Sequence, residues 1–230
     1  MTSNYGLLFN VCRKIVRMVY PTFHYERQEK NPEKPVVYVS HHQNLFGPFI
    51  TLLWFPRVVR TWILEVFLDR EACYKQYVDY TFTKRFGWNK YLAKSIAYPI
   101  SFFIPKLLHS GKGIPVHRGS RKILKTLKMS VDALINGDNI AIFPDIDYHD
   151  SSSEVKDMYE GFLYLEKYYY EITGEHICFV PLYVSKKQRK IITGKNIYFR
   201  DDIKFAEERK IVLQKIQDNL NQLARSCDEI

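Results

Sequence analysis

Paired cysteines are missing from this chain. Cys12, Cys73, Cys178 and Cys227 are scattered over 230 residues with no CxxC pair. That pattern offers no disulfide framework and reads as reduced thiols in the cytosol. Long hydrophobic runs are missing too, since no uninterrupted stretch approaches the roughly 18–20 apolar residues that span a bilayer. Arg13, Lys14 and Arg17 break up the apolar N-terminal residues, so no signal peptide is expected there. Acidic residues are in deficit, 25 Asp and Glu against 34 Lys and Arg, for a formal charge of +9. A cationic surplus attracts polyanions, and anionic lipid and nucleic acid would serve equally well. Zinc-finger spacing, an RNP-type aromatic motif and a basic heptad region are all lacking, so a nucleic-acid partner is not expected. Linkers, internal repeats and low-complexity tracts are also lacking, and residues 1–230 read as one domain.

The composition that remains is globular, with 46% hydrophobic and 26% charged residues. Aromatics are abundant, with 17 Tyr and 15 Phe. Such rings suit a core, and Tyr and Trp also suit the membrane–water boundary. Residues 5–19 set Leu8, Val11, Ile15 and Val19 on one helical face, with Arg13, Lys14 and Arg17 mainly elsewhere. This is an amphipathic helix, read either as packed on the domain or as lying on a membrane surface over residues 1–20. Pro21 ends it, and the polar stretch from Glu26 to Pro35 leads to a first strand at Val36–Ser40.

Further along, the pattern predicts a helix over 49–55 begun by Pro48 and a strand over 61–68, then a helix over 71–86. Residues 91–108 are apolar but interrupted by Pro99 and Pro105, which reads as an interfacial or kinked core element. A short strand is expected at 113–118. A helix carrying Ile123, Leu127, Val131 and Leu134 should close at Asn136-Gly137. Strands follow at 140–143, 177–184 and 191–199, with helices at 154–172 and 204–225. Alternating strands and helices imply an α/β fold, a central mixed sheet flanked by helices, preceded by the amphipathic helix.

The chemistry concentrates where the first strand ends, at Ser40-His41-His42-Gln43-Asn44-Leu45-Phe46-Gly47-Pro48. An imidazole delivered to a turn by a strand suits proton transfer near neutral pH. This segment resembles the first motif of the glycerolipid acyltransferase superfamily, the 1-acylglycerol-3-phosphate acyltransferase (PlsC-like) family, in which His is followed after four residues by Asp. His42 falls on the motif's His and Pro48 on the Pro that often follows, while Gly47 stands where the Asp would be. Three more segments follow in the family's order. Gly113-Ile114-Pro115-Val116-His117-Arg118 resembles the second motif, Ile142-Phe143-Pro144-Asp145 the third, and Val180-Pro181-Leu182-Tyr183 the fourth.

The resemblance implies transfer of a fatty acyl group from acyl-CoA or acyl-carrier protein to a lysophospholipid or glycerophosphate-type hydroxyl. It implies no cofactor beyond that donor and a peripheral location on the cytoplasmic face of a membrane. His42 would be the general base and Asp145 would help position the acceptor. Arg118 would hold its phosphate, and Phe143, Pro144 and Asn44 would line the substrate. His41 reads as a turn or supporting residue.

With Gly47 carrying no carboxylate, two substitutes are open for orienting the His42 ring. One is a carboxylate from elsewhere, with Asp145, Asp147 and Asp150 in reach by sequence. The other is a backbone carbonyl that accepts from Nδ1–H. The alternative function is a family member of weak or no activity that binds lipid or acyl groups. The cluster Asp145-Ile146-Asp147-Tyr148-His149-Asp150 has the residue types of a cation site, but a polar loop after a strand often gathers such residues, and no metal is expected.

Overall fold

The structure, a computed structural model, describes residues 4–30, 32–117, 122–147 and 149–230. Its frame is set by Val36–Ser40 (β2), in which all five residues are buried. A strand apolar on both faces is stable only in a sheet covered on both sides, and that favours parallel pairing. Accordingly β2 pairs in parallel with Asn139–Ile142 (β5) on one side and Cys178–Ser185 (β6) on the other. Beyond β5 lie Val59–Leu64 (β3) and Ile114–Val116 (β4), both parallel. Beyond β6, Lys190–Thr193 (β7) turns back antiparallel and His24–Arg27 (β1) closes the edge. The seven strands run in the order β1-β7-β6-β2-β5-β3-β4, a mixed sheet in an α/β domain.

Helices cover both faces. Val37 and Val39 pack under Ile123–Ile135 (α5), Tyr164–Thr173 (α6) and Phe205–Ser226 (α7). In α7, Val212, Ile216, Leu220 and Leu223 are all fully buried, the stripe that their spacing predicts. Val36 and Tyr38 face the opposite layer with Ile50 and Phe55, at and just beyond Phe46–Trp54 (α2). The remaining helices are Leu7–Val19 (α1), Arg70–Gln76 (α3) and Lys90–Ser110 (α4).

Several expectations shift. The strand predicted over 61–68 stops at Leu64 and becomes a 3-10 turn, Glu65–Phe67. The helix predicted over 71–86 is α3 followed by a π-helix, Tyr77–Arg85. The helix predicted over 154–172 begins only with the 3-10 turn Glu160–Leu163. Its first residues are drawn out by backbone pairing, with Met158 bridged to Asp145 and Tyr159 N–H on the Pro144 carbonyl at 2.8 Å. The strand predicted over 191–199 keeps only its first third, and Ile197 forms an isolated bridge to Phe179. Polar His24–Arg27, unmarked by alternation, is an edge strand. Residues 90–110 form one helix through Pro99 and Pro105. Ala93, Ala97, Ser101 and Pro105 are buried along it, while Tyr91, Leu92, Tyr98 and Phe103 are exposed.

Candidate functional site

β2 and β5 lie side by side and in parallel, with Val39 opposite Ile142. Their C-terminal ends therefore open at the same edge, where ligands bind in open α/β sheets. His41 and His42 leave β2 there, and Phe143, Pro144 and Asp145 leave β5. Pro181, opposite Val39 in β6, flanks them.

Asp145 is 4% exposed and its two oxygens do different work. Oδ1 pairs with Nδ1 of His41, itself only 3% exposed, and Oδ2 accepts the His42 backbone N–H at 2.8 Å. The other nitrogen of His41, Nε2, lies 2.9 Å from the Ser152 carbonyl. A carbonyl can only accept, so Nε2 must carry a proton. Both His41 nitrogens are thus committed. His41 is a strut that ties β2 to the loop after β5.

His42 is half-buried, its ring edge-on to Phe143 with centroids 6.2 Å apart. Its Nδ1 accepts the Leu45 backbone N–H at 3.1 Å. This corrects both substitutes offered by the sequence. The carboxylate of Asp145 pairs with the neighbouring histidine. Asp147 accepts from His149 N–H at 3.0 Å, and Asp150 accepts from Ser152 N–H and pairs with Lys156, both at 2.8 Å. The Lys156 ammonium holds the Asp150 carboxyl down at about 2. Nor does a carbonyl accept from Nδ1–H. The polarity is reversed, and a backbone N–H donates to a bare Nδ1. In its neutral form the ring therefore keeps its proton on Nε2.

The turn that delivers Leu45 N–H is left-handed over three residues in a row, with φ of 45°, 51° and 75° at Gln43, Asn44 and Leu45. Apart from glycine and, to a lesser degree, asparagine, residues avoid this region, which costs Gln43 and Leu45 about 1–2 kcal/mol each. The surroundings hold them in it. Gln43 Nε2 donates to the Tyr183 hydroxyl at 3.3 Å and Asn44 Oδ1 accepts from Arg85 at 2.9 Å. Phe46 N–H reaches the Gln43 carbonyl and Gly47 N–H the His42 carbonyl, both at 3.1 Å. Gly47 is buried at the start of α2, and a Cβ built on it would overlap the His41 carbonyl oxygen. Glycine there is a requirement of this turn.

Of the other residues singled out by sequence, Phe143 and Pro144 border the site and Asn44 sits in the turn. Arg118 and Arg121 lie outside the described residues. Lys125 and Lys128 are exposed on α5, and Lys122 is exposed just before it. In the second basic run, Lys186 lies over the Phe46 ring at 4.6 Å, and Lys187 and Lys190 pair with the Asp228 carbonyl and Glu26. Sequence reasoning missed Ser152 as the brace of His41. It also missed a shallow, open cleft of about 290 Å³ lined by Tyr80, Lys84, Arg85 and His149. Arg85 joins that cleft to the histidine turn through Asn44. A smaller hollow of about 140 Å³ lies on the Asp145 side, lined by His41, Asp147, Asp150, Lys156 and Asp157 among others. Among the described residues, no group of three or more His, Cys, Asp or Glu is arranged to hold a metal ion.

The N-terminal helix is mounted with Arg13 and Arg17 turned toward the domain and Lys14 exposed. Arg13 donates to the carbonyls of Leu53 and Phe55 at 2.8 and 2.7 Å, and Arg17 to Leu53 at 2.7 Å. These carbonyls lie at the end of α2, where cations are favoured. Leu7, Val11, Ile15 and Met18 face outward in consequence, Leu7 and Met18 at 81% and 77% exposure. Among the described residues no helix is long and apolar enough to cross a membrane.

No family model matches this chain, and no curated protein matches it. One solved structure that resembles it is the crystal structure of the 1-acyl-sn-glycerophosphate (LPA) acyltransferase, PlsC, from Thermotoga maritima. The two share 11% identity and a TM-score of 0.49, over 94% of this chain and 76% of that one. The likeness is a distant one of overall shape.

Proposed function

We propose that this chain transfers an acyl group from a thioester donor to a hydroxyl acceptor of the lysophospholipid or glycerophosphate kind, at a membrane surface. One observation carries the reading. The segments that resemble the first and third family motifs leave the C-terminal ends of the neighbouring strands β2 and β5, and the one that resembles the fourth lies beside them in β6, with His42 next to Phe143. The outward apolar face of α1 supplies a way to sit on the lipid that holds the acceptor.

In the reaction, the acceptor hydroxyl gives its proton to His42 Nε2 as its oxygen attacks the thioester carbonyl carbon. The C–S bond then breaks, and the leaving thiolate takes the proton back from the imidazolium. Here the geometry sets a handicap. Neutral His42 already carries its proton on Nε2, because Leu45 N–H occupies Nδ1. To act as a base the ring must leave Leu45 N–H, giving up a hydrogen bond worth about 1 kcal/mol, and move its proton to Nδ1. No orienting carboxylate comes from position 47, and losing one costs a serine-protease triad about 10⁴ in turnover. Slow turnover is the expectation.

The bond from Leu45 N–H to Nδ1 also favours a second reading, a lipid- or acyl-binding protein without turnover, in which Nε2–H merely donates to the bound ligand. One assay separates the two. Purified protein is incubated with acyl-CoA and lysophospholipid vesicles, and thiol release and ester product are followed in wild type and His42→Ala. Acceptor-dependent release that falls at least 100-fold in His42→Ala supports transfer, within the usual contribution of a general base. Release that His42→Ala leaves untouched overturns the assignment. Binding of both ligands with no release in either protein would establish the second reading.

A further inference from the structure

The π-helix Tyr77–Arg85 has no part in holding His42 apart from the single bond from Arg85 to Asn44, yet nine residues of π winding are unusual. Such winding commonly appears as a single turn, and often at functional sites. Its maintenance is visible. The hydroxyls of Thr81 and Thr83 donate to the carbonyls five residues back, Gln76 and Val78, at 3.3 and 2.7 Å. Phe86 N–H reaches the Thr81 carbonyl at 3.1 Å, the i→i+5 bond of this winding. Phe82 anchors the inner side, stacked on Trp88 with centroids 4.7 Å apart and against Tyr77 at 5.3 Å.

The consequence is geometric. In an α-helix, residues i and i+4 share a face, but i+5 turns well away from it. Bonds from i to i+5 widen the turn to more than four residues, so that i+4 and i+5 fall on either side of residue i. Tyr80, Lys84 and Arg85 stand in this relation and line one cleft, with His149 closing it from the loop after β5. The Tyr80 hydroxyl and His149 Nε2 are 3.4 Å apart across it. Asp79 on the π-helix, and Asp147 and Asp150 on either side of His149, are the closest acids in sequence, and none of the three lines the cleft. Asn44 Oδ1 fixes the Arg85 guanidinium through Nη2 at 2.9 Å, one of the five donors that a guanidinium offers.

We infer that this cleft binds a phosphoryl group, with Lys84 and Arg85 as its charged ligands and Tyr80 and His149 as its polar wall. A pinned guanidinium beside an exposed ammonium suits a phosphate, which takes a fork of donors and a point charge together. The inference deepens the proposed function and rests on it only for the identity of the ligand. Through Asn44 the cleft adjoins the His42 turn, so a phosphate seated there would fix a substrate near the imidazole. Phosphoryl groups occur on both partners of such a reaction, the glycerophosphate acceptor and the diphosphate of a CoA donor.

The test measures binding without turnover. Glycerol 3-phosphate and CoA are titrated calorimetrically into wild type, Lys84→Ala, Arg85→Gln and Thr83→Val. Each cation variant should weaken one of the two ligands about tenfold or more, as expected for one charged hydrogen bond. Thr83→Val should weaken the same ligand with both charges in place, because it loosens the π winding. Loss confined to glycerol 3-phosphate assigns the cleft to the acceptor, and loss confined to CoA assigns it to the donor. Either outcome upholds the site even if no acyl transfer is ever detected. Wild-type protein that binds neither ligand, or variants that bind both as wild type does, would overturn it.

Discussion

Replacing Gly47 by Asp would complete the His-x4-Asp motif that this turn resembles, and the structure predicts that it damages the protein instead. The Cβ of any larger residue at 47 would overlap the His41 carbonyl oxygen. That oxygen belongs to backbone pinned on one side by β2 and on the other by the bond from His42 N–H to Asp145. It cannot swing aside as a side chain would. Forcing a methyl group into a packed site costs 1–3 kcal/mol as a rule, and rigid backbone puts Gly47→Ala near the upper end, about 3 kcal/mol. For a domain of this size that corresponds to a fall in melting temperature of roughly 6–12 °C. Gly47→Asp should fall further, because it adds a carboxylate at a buried position. Circular dichroism melts of the two variants beside wild type make the measurement, with thiol release from acyl-CoA assayed on the same samples. Melting of Gly47→Ala within about 1 °C of wild type would refute the overlap. Faster thiol release in Gly47→Asp would refute the turn geometry and restore position 47 as the place for an orienting acid.

Asp145→Ala strands the His41 ring and the His42 N–H and should cost about 3–5 kcal/mol in urea denaturation, as for a broken buried pair. Asp145→Asn should cost only about 1 kcal/mol, since an amide can donate to a neutral His41 Nδ1 and accept from His42 N–H; equal losses would contradict the assigned bonds. Replacing the outward Leu7, Val11 and Met18 by Ser should abolish flotation with anionic vesicles while leaving the melting temperature nearly unchanged; unaltered flotation would remove α1 as the lipid contact. Lys156 holds the Asp150 carboxyl at about 2, below its ordinary value near 3.9. A lowered carboxylate stabilises the fold above its unfolded pKa, and that contribution disappears as pH falls through the folded value. Asp150→Asn should therefore be destabilised at pH 6, and the difference from wild type should shrink as pH drops from about 4 to 2. A difference that grows on acidification would reverse the assignment.

The sequence made the fold's scaffold readable where apolar runs had one dominant cause. Val36–Ser40, the strand starting near Ile140 and the stripe Val212, Ile216, Leu220, Leu223 are each what burial requires. Long-range pairing overrode local pattern elsewhere. Residues from Glu154 look helical, but Met158 and Tyr159 are held extended by Asp145 and Pro144. His24–Arg27 is a strand only because β7 presents an edge to it. The π winding depends on two threonine hydroxyls and has no periodicity that separates it from an α-helix in a mixed aromatic and charged segment.

At the site, the positions of His42, Phe143 and Asp145 at one edge were legible from strand ends. The partners were not. Two adjacent histidines compete for one carboxylate, and the strand's alternation decides which imidazole turns inward. His41 goes into the buried side and takes Asp145, while His42 is left to the turn. Three left-handed residues without glycine leave no sequence mark of their own, and the glycine that the turn does need comes after them.

What holds the His42 ring decides whether it can act as a base, and nitrogen-15 NMR of ring-labelled protein reads it directly. At a pH where His42 is neutral, the geometry predicts a proton on Nε2, a bare Nδ1, and a coupling across the hydrogen bond from Leu45 N–H to Nδ1. A neutral ring protonated at Nδ1 would contradict it, and would mean that an acceptor steadies the imidazole as it does in a catalytic dyad.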